Sequence, residues 1–408
     1  MSGLRTVEEQ LARVLAAAAV LPSIQTELAA ARGLTLAEPV LARNPVPVFD
    51  NSAMDGFAVR FGDVAAATER EPVRLRVVGD VPAGSGDDPA LPPGTAARIM
   101  TGAPLPSAAD AVVPFEDTAG GLADSLGEIT VLRAPRTVGA HVRRAGEDIA
   151  AGAVALPAGS VLGARQLAAL ASVGTARVSV TARPRVAVFS TGAELVAAGR
   201  PLHRGQIPES NGLLLAALAE EAGADVVLRD VLGDEGDGPR AAVARAEQRG
   251  ADVVIFSGGV SAGAYEPVRQ SLGGTMEFAR IAMQPGKPQG FGVTDRGTLL
   301  FGLPGNPVSA AVSFEVFVRP ALRRLQGRRD LHRPLRRLPA GASWRTPPGR
   351  RQYLPAVIAD GGVVLPAARG GSGSHLAVGL GTATAYAIVP AETAEVAAGD
   401  LIDVMELT

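Results

Sequence analysis

The chain has 408 residues, of which 47% are hydrophobic, and its 39 Lys plus Arg nearly balance its 41 Asp plus Glu, for a formal net charge of −2. This length predicts two to four domains, and the balanced charge argues against nucleic-acid binding by the whole surface. With no cysteine and only four histidines, the chain excludes disulfides, thiolate metal sites and a cysteine nucleophile, and a histidine-rich zinc site is not expected.

The chain opens with a predicted helix over residues 7–20. Thr6 and Glu9 have the spacing of a capping box, and Pro22 ends the helix. The apolar stretch within it, residues 11–21, is too short to span a bilayer and lacks a basic leader. We therefore expect no membrane segment and a cytoplasmic protein.

Residues 45–140 show only short strand-like runs separated by Gly, Pro and Asp, which predicts a small β-rich domain. The predicted strands are 73–78, 96–100, 111–114 and 128–133. A weak helix over 164–172 and a strand over 177–181 follow. We pair residues 141–180 with the N-terminal helix, so that 1–44 and 141–180 form one discontinuous linking module.

Strands and helices alternate over residues 181–327, which predicts a three-layer α/β domain. Strands are expected at 185–190, 225–232 and 252–257, then a hairpin over 289–303. Helices are expected at 212–221, where Ser210 and Asn211 are good N-caps, and at 240–249 and 307–325. Residues 328–408 show only short strands and predict a second β domain.

Three apolar runs of the α/β domain end in loops rich in Gly, Pro and hydroxyl residues. The loops are 258–263, 285–288 and 304–309. Because strand carboxyl ends gather where ligands bind in an open parallel sheet, and backbone amides there suit an oxyanion, these loops predict an anion site. Lys287, in the middle loop, is the only lysine of the chain, which favours a compact anion as its target over survival on a solvated loop.

Five acids lie in predicted loops: Asp55, Asp148, Glu194, Asp234 and Glu266. The last three follow strands of the α/β domain and are expected near Lys287. Acids beside an oxyanion site repel the ligand unless a cation intervenes, and Mg²⁺ bridges carboxylate to phosphate. The pattern thus predicts a phosphate-bearing substrate with Mg²⁺, although each acid alone is equally a cap or a solvated turn residue.

Other candidates are weaker. The Thr101 hydroxyl would hold a phosphate or bond its own backbone, Arg351 would bind an anion or remain solvated, and Ser374 lies in a glycine turn. No P-loop lysine motif, dinucleotide-binding glycine motif or nucleophile elbow is present, so the common NTPase, dinucleotide and α/β-hydrolase functions lose support.

Seven runs resemble one family in order along residues 45–325. They are FDNSAMDGFAVR (49–60), RIMTGAPLP (98–106), RRAGEDI (143–149), FSTGAEL (189–195), SGGVSAG (257–263), PGKP (285–288) and GLPGNPVSA (302–310). This chain resembles the molybdopterin molybdenumtransferases, which include bacterial MoeA and the E domain of gephyrin. The segment after residue 334 is similar to them only through Gly349–Arg351 and Gly373–His375.

The resemblance implies a multidomain α/β plus β fold. A MogA-like, three-layer molybdopterin-binding domain (181–327) would join the β-rich domain (45–140), the linking module and a C-terminal β-barrel domain (328–408). It also implies a homodimer with its active site between subunits, where one subunit's α/β domain faces the other's β domain. There, molybdenum from molybdate enters adenylylated molybdopterin with Mg²⁺, and AMP leaves.

Site residues carried over by the resemblance fall into three groups. Catalytic roles go to Asp55, Asp148, Glu194 and Asp234, and metal or water contacts to Glu194, Asp234 and Glu266. Ligand contacts go to Thr101, Ser257, Gly258, Gly259, Ser261, Lys287, Pro304, Gly305, Asn306, Pro307, Ser309, Arg351 and Ser374.

Two departures from the family pattern keep alternatives open. Glu266 stands where the family usually has Asp, and Gln284 replaces a lysine of the anion loop. These changes would weaken molybdate binding, alter the metal preference or mark a paralogue with reduced activity, so a catalytically weakened binding or scaffold protein is the first alternative. A molybdopterin adenylyltransferase is the second, since a related α/β domain performs that step alone, and such an enzyme is also a possible partner.

Overall fold

The computed structural model describes residues 3–123, 125–233, 238–261, 266–368 and 377–407. The predicted site residues Asp234 and Ser374 lie outside them. Within these ranges, none of the helices combines the length and the apolar character that crossing a membrane requires.

Two separate segments build the first module. The N-terminal segment holds α1 (Val7–Ala17), β1 (Ser23–Glu27) and β2 (Val40–Leu41). Thr6 and Glu9 form the predicted capping box, which confirms the start of α1. β1 pairs antiparallel with the returning strand Arg177–Thr181, and β2 with Val154–Leu156.

The position of α1 differs from the prediction. Its buried side chains, Val7 and Val14, instead join the core of the α/β domain. An apolar stripe on a helix fixes which face is buried but not which element covers it, so the sequence left this partner undetermined.

The described part of the β-rich region contains seven strands and one short α-helix. They are β3 (Asn51–Ser52), β4 (Gly56–Val59), α2 (Phe61–Val64), β5 (Val73–Val81), β6 (Thr95–Ile99), β7 (Ala111–Pro114), β8 (Glu128–Val131) and β9 (Val142–Arg143). Five of the strands form one sheet in the order β7-β4-β6-β5-β8. All four predicted strands are confirmed. β4 was not predicted, because its residues belong to a motif whose Asp and Gly indicate a turn.

The chain then returns through β10 (Val154–Leu156), α3 (Ala164–Ser172) and β11 (Arg177–Thr181), as predicted. The α/β domain follows. Its elements are β12 (Arg185–Thr191), β13 (Leu195–Val196), β14 (Ile207–Pro208), α4 (Asn211–Glu221), β15 (Asp225–Leu232), α5 (Gly238–Gln248), β16 (Val253–Ser257), α6 (Pro267–Leu272), β17 (Met276–Arg280), β18 (Met283–Gln284), β19 (Pro288–Val293), β20 (Leu299–Leu303), α7 (Pro307–Ser313), a π-helical turn (Phe314–Val318) and α8 (Arg319–Leu325).

The six-stranded sheet of this domain has the order β15-β12-β16-β20-β19-β17. β15, β12, β16 and β20 are parallel, and β19 runs antiparallel to both of its neighbours. Alternate residues of β12 point to opposite faces: Val186 and Val188 meet α4 and α7, whereas Ala187 and Phe189 meet α5. The predicted three-layer architecture is confirmed. Strand order reverses between β12 and β16, which is where ligands bind in such sheets.

The C-terminal region is a second β structure. It contains β21 (Leu335–Pro339), β22 (Trp344–Arg345), β23 (Arg351–Ala359), β24 (Val363–Pro366), α9 (Ala377–Thr382), β25 (Ala385–Val389), β26 (Glu395–Val396) and β27 (Leu401–Glu406). Its main sheet also takes in β18 of the α/β domain, which pairs parallel with β23. A buried ion pair between Arg333 and Glu315 of the π-helical turn, at 2.8 Å, fastens the two regions together.

Candidate functional site

A cavity of about 1010 Å³ lies at the reversal point of the α/β sheet. Its floor is formed by the ends of β12, β16 and β20, which end in Thr191, Ser257 and Leu303. These loops meet closely: a side chain at Gly258 (φ +95°) would put its Cβ 2.7 Å from the carbonyl oxygen of Thr191. Glycine is therefore required there, and the backbone itself lines this part of the cavity.

The cavity collects most of the predicted site residues. Lining it are Glu194, Ser257, Gly258, Gly259, Ser261, Glu266, Lys287, Pro304, Gly305, Asn306, Pro307 and Ser309. They come from four loops that are up to 115 residues apart in the chain, from Glu194 to Ser309. The expectation that Glu194 and Glu266 lie at the same sheet edge as Lys287 is met, because all three line this cavity. Their roles toward a ligand remain predictions.

The loop that carries Lys287 is held from two sides. The buried side chain of Gln289 donates to the Gly286 carbonyl at 2.7 Å and to Ser313 Oγ of α7 at 2.6 Å. On the other side, Met283 and Gln284 form a strand of the C-terminal sheet. A cation on a loop fixed in this way loses little conformational entropy when it binds an anion.

The acids of the cavity have different surroundings. Glu266 accepts a hydrogen bond from the Ser261 amide at 2.9 Å. The exposed Glu194 side chain lies against Gly192, where a Cβ would come within 2.4 Å of its carboxylate. Among the described residues, no group of three or more Asp, Glu, His or Cys side chains could hold a metal. Mg²⁺ needs only one or two carboxylates when phosphates and waters complete its shell, so Glu194 and Glu266 fit an ion that arrives with the substrate.

Of the predicted site residues that the structure describes, four lie outside this cavity. Asp55 and Thr101 meet on the β-rich domain: the Thr101 amide and hydroxyl both donate to Asp55 Oδ1, at 2.6 and 2.7 Å. These bonds, the amide first, lower the pKa of Asp55 below its ordinary value of 3.8. The Thr101 hydroxyl thus bonds a neighbouring acid rather than its own backbone. Asp148 is exposed in the loop before β10.

Arg351 also points elsewhere. Its guanidinium donates to Glu8 of α1 at 2.5 Å. The preceding residue, Arg350, instead donates to the side chain of Gln284, which lines the cavity. Arg350 and Arg351 are adjacent residues of the same charge, and the pairing of β18 with β23 separates their contacts. Arg350 therefore adds a cation next to the position where a lysine of the family is replaced.

Among the lining residues that were not predicted as site residues are Ser190, Glu209 and Asn211. Ser210 and Asn211 were predicted as N-caps of α4; Ser210 occupies the N-cap position, whereas Asn211 is the first residue of the helix. Ser210 makes no capping hydrogen bond, and the Glu209 carboxylate accepts from the Gly212 amide at 2.6 Å instead. Asn211 Nδ2 reaches across the cavity floor to Ser257 Oγ and the Gly305 carbonyl.

Comparisons with known proteins cover the whole chain. Residues 5–174 match the MoeA N-terminal region (domain I and II), 187–324 a probable molybdopterin binding domain, and 337–407 the MoeA C-terminal region (domain IV). The chain is 44% identical to molybdopterin molybdenumtransferase 2 of Mycobacterium tuberculosis, over 99% of this chain and 100% of that one. It is 39% identical to molybdopterin molybdenumtransferase 1 of the same organism, over 98% of each.

A solved structure agrees with these matches. A molybdopterin biosynthesis MoeA protein from Pyrococcus horikoshii superposes with a TM-score of 0.85 at 32% identity, covering 100% of both chains. Full-length identity, three matched regions in order and a shared fold lead to one conclusion: this chain belongs to the MoeA family of molybdopterin molybdenumtransferases.

Proposed function

We propose that this protein inserts molybdenum from molybdate into adenylylated molybdopterin and releases AMP, a step of molybdenum cofactor biosynthesis. The observation that carries the proposal is the cavity at the sheet reversal point. It places the only lysine of the chain beside hydroxyl groups, glycine-rich backbone and three carboxylates. Full-length relatives at 39–44% identity bear the name of this activity, which supports it further.

The chemistry assigns simple tasks to the side chains. Lys287, with Arg350 nearby, would attract molybdate and the phosphates and offset their charge. Glu194 and Glu266 would hold Mg²⁺, which would supply charge neutralisation at the phosphoanhydride. Cleavage of that bond by water yields AMP and the molybdopterin phosphate, and the substrate's own dithiolene sulfurs then bind molybdenum. A chain without cysteine suits a reaction whose sulfur comes from the substrate.

Asp55, Thr101 and Asp148 lie outside the cavity of their own protomer. We therefore include a homodimer in the proposal, in which the β-rich domain of one protomer faces the cavity of the other. A cytoplasmic location belongs to the proposal as well, since the substrates are intermediates of biosynthesis.

The test follows two products together. Purified protein is given adenylylated molybdopterin and Mg²⁺, with and without molybdate, and AMP and metal-bound pterin are quantified. We expect AMP release that depends on molybdate and stops when Mg²⁺ is chelated. Binding without AMP release would overturn the proposal and favour a binding or scaffold protein. Formation of adenylylated molybdopterin from ATP and molybdopterin would favour the adenylyltransferase.

A further inference from the structure

Two hydrogen-bond acceptors stand together on one wall of the cavity. Glu209 and Asn211 are separated by one residue at the start of α4, and both line the cavity. Glu209 Oε1 accepts from Ser190 Oγ at 2.7 Å and from the Gly212 amide at 2.6 Å. Among the described residues, both hydrogen bonds of this carboxylate use Oε1. The second oxygen, Oε2, thus remains an acceptor for a ligand.

The orientation of the Asn211 amide is fixed by its neighbours. Nδ2 donates to Ser257 Oγ at 2.8 Å and to the carbonyl oxygen of Gly305 at 2.5 Å. Since a carbonyl can only accept, the group facing Gly305 must be the nitrogen. Asn211 is only 8% exposed, and its Oδ1 is buried without a hydrogen-bond partner in the described part of the chain.

A purely structural role explains Glu209 Oε1 and Asn211 Nδ2 but not the other polar atom of each side chain. Capping of α4 accounts for Glu209 Oε1, and tying α4 to the two loops accounts for Asn211 Nδ2. Neither accounts for the buried Asn211 Oδ1, because leaving an acceptor unpaired in the interior costs free energy. A ligand that donates a hydrogen bond at this position removes that cost.

We propose that Glu209 and Asn211 form an acceptor corner that binds the N–H edge of the substrate's pterin ring. This inference rests on the proposed function, whose substrate carries two heterocycles. The pterin ring presents two adjacent donors, N3–H and the 2-amino group, which match the two acceptors of the corner in number and kind. Adenine presents one amino group between ring nitrogens that only accept, and these would face the oxygens of the corner unfavourably.

The orientation of the whole substrate follows from this placement. With the pterin edge held by the start of α4, the dithiolene and phosphate groups extend over the ends of β16 and β20 toward the loop of Lys287. The corner contains no cation, so it discriminates against the anionic part of the substrate by charge. Glu209 and Asn211 are thus positioning residues, and the reaction takes place elsewhere in the cavity.

The sharpest probe is a pair of small pteridines. Pterin and lumazine differ at position 2, which carries an amino donor in pterin and a carbonyl acceptor in lumazine. Their affinities for the full-length protein are measured by quenching of pteridine fluorescence. We expect wild type to bind pterin about tenfold or more tightly than lumazine, because a site with buried acceptors rejects an analogue that lacks the matching donor.

The variant Glu209→Gln separates binding from structure. It keeps one oxygen for Ser190 and Gly212 and turns the other acceptor into a donor. We expect its preference for pterin to fall to about threefold or less, or to reverse, with unchanged thermal unfolding. Glu221→Gln, an exposed position on the same helix, makes the same charge change and should keep the full preference.

Measurements of AMP affinity distinguish the ways in which this inference can fail. AMP affinity should be equal in wild type and Glu209→Gln. If Glu209→Gln loses AMP affinity and keeps its pterin preference, adenine occupies the corner and the inference is wrong. An equal pterin preference in wild type and Glu209→Gln, or the absence of pteridine binding by wild type, also overturns it. None of these outcomes touches the proposed function, which fails only when molybdate-dependent AMP release is absent.

Discussion

The cavity of the α/β domain and the Asp55–Thr101 pair on the β-rich domain handle acidic residues in opposite ways. In the cavity, Glu194, Glu209 and Glu266 share a concave space with Lys287. On the β-rich domain, Asp55 is exposed and its Oδ1 already accepts two hydrogen bonds from Thr101. A concave site with its own cation can bind a ligand alone, whereas an exposed pair needs a second surface to exclude water.

The largest effect is expected from breaking the cavity itself. Lys287→Ala removes its lysine, and we expect molybdate-dependent AMP release to fall about 100-fold or more, as for removal of one electrostatic contact to a developing anion. Initial rates of AMP release measure the effect. Arg296→Ala, which removes an exposed cation from the β19–β20 turn, is the control and should retain the wild-type rate. A loss smaller than about threefold in Lys287→Ala would remove this lysine from the mechanism.

Combining one inactive variant from each region in the same dimer tests whether the two regions form one site across the subunits. Asp55→Asn and Lys287→Ala are each expected to be inactive. Co-expressed with different tags and purified through both, the mixed dimers should show about half of wild-type activity, because each mixed dimer has one intact site of two. The AMP assay on the purified mixed dimers checks this. If the mixed dimer stays inactive, both residues serve the same protomer or the protein is not a shared-site dimer.

A smaller effect is expected at the rim of the cavity. Arg350→Gln removes the guanidinium that contacts Gln284, and molybdate affinity should fall about three- to tenfold, since a partly screened charge contributes modestly. Arg337→Gln, in the same C-terminal region and 70% exposed, makes the same charge change and should have no effect. Titration calorimetry with molybdate compares the two. Equal losses in both variants would show that only net charge matters.

The smallest effect concerns the pair on the β-rich domain. Thr101→Val removes the hydroxyl donor, so the pKa of Asp55 should rise toward its ordinary value of 3.8, while Thr101→Ser should leave it low. Because folding lowers this pKa, its contribution to stability is present above the unfolded pKa and is lost as pH falls through the folded pKa. Carboxyl NMR titration measures the shift. An unchanged pKa in Thr101→Val would assign the lowering to the amide alone.

The secondary structure could be predicted from local sequence patterns. The apolar run over 185–190 and the apolar runs before the three loops identified the strands, and the gathering of strand ends then placed Glu194, Glu266 and Lys287 at one edge. The same physics fails for contacts that depend on distant elements. Nothing near Asn211 shows that its side chain bonds groups 46 and 94 residues away. Its high N-cap propensity instead predicted that Asn211 caps α4, and this prediction was wrong.

The two arginines of the C-terminal region show the same limit. Arg350 and Arg351 are neighbours with identical charge, and sequence alone cannot say which one faces the cavity. Arg351 opens β23 opposite Met283 of β18, whereas Arg350 lies just before the strand, so the choice depends on where β23 begins against β18.

The pairing of β18 with β23 makes the domain boundary a poor place to cut. A chain ending near residue 330 retains every strand of the six-stranded α/β sheet, so it has the means to fold. It nevertheless loses the neighbour that holds Met283 and Gln284, the buried partner Arg333 of Glu315, and the cation of Arg350. We expect such a fragment to keep the α/β fold but to hold the loop of Lys287 less firmly. We therefore expect the α/β domain to fold without the C-terminal region but to need it for a complete anion site.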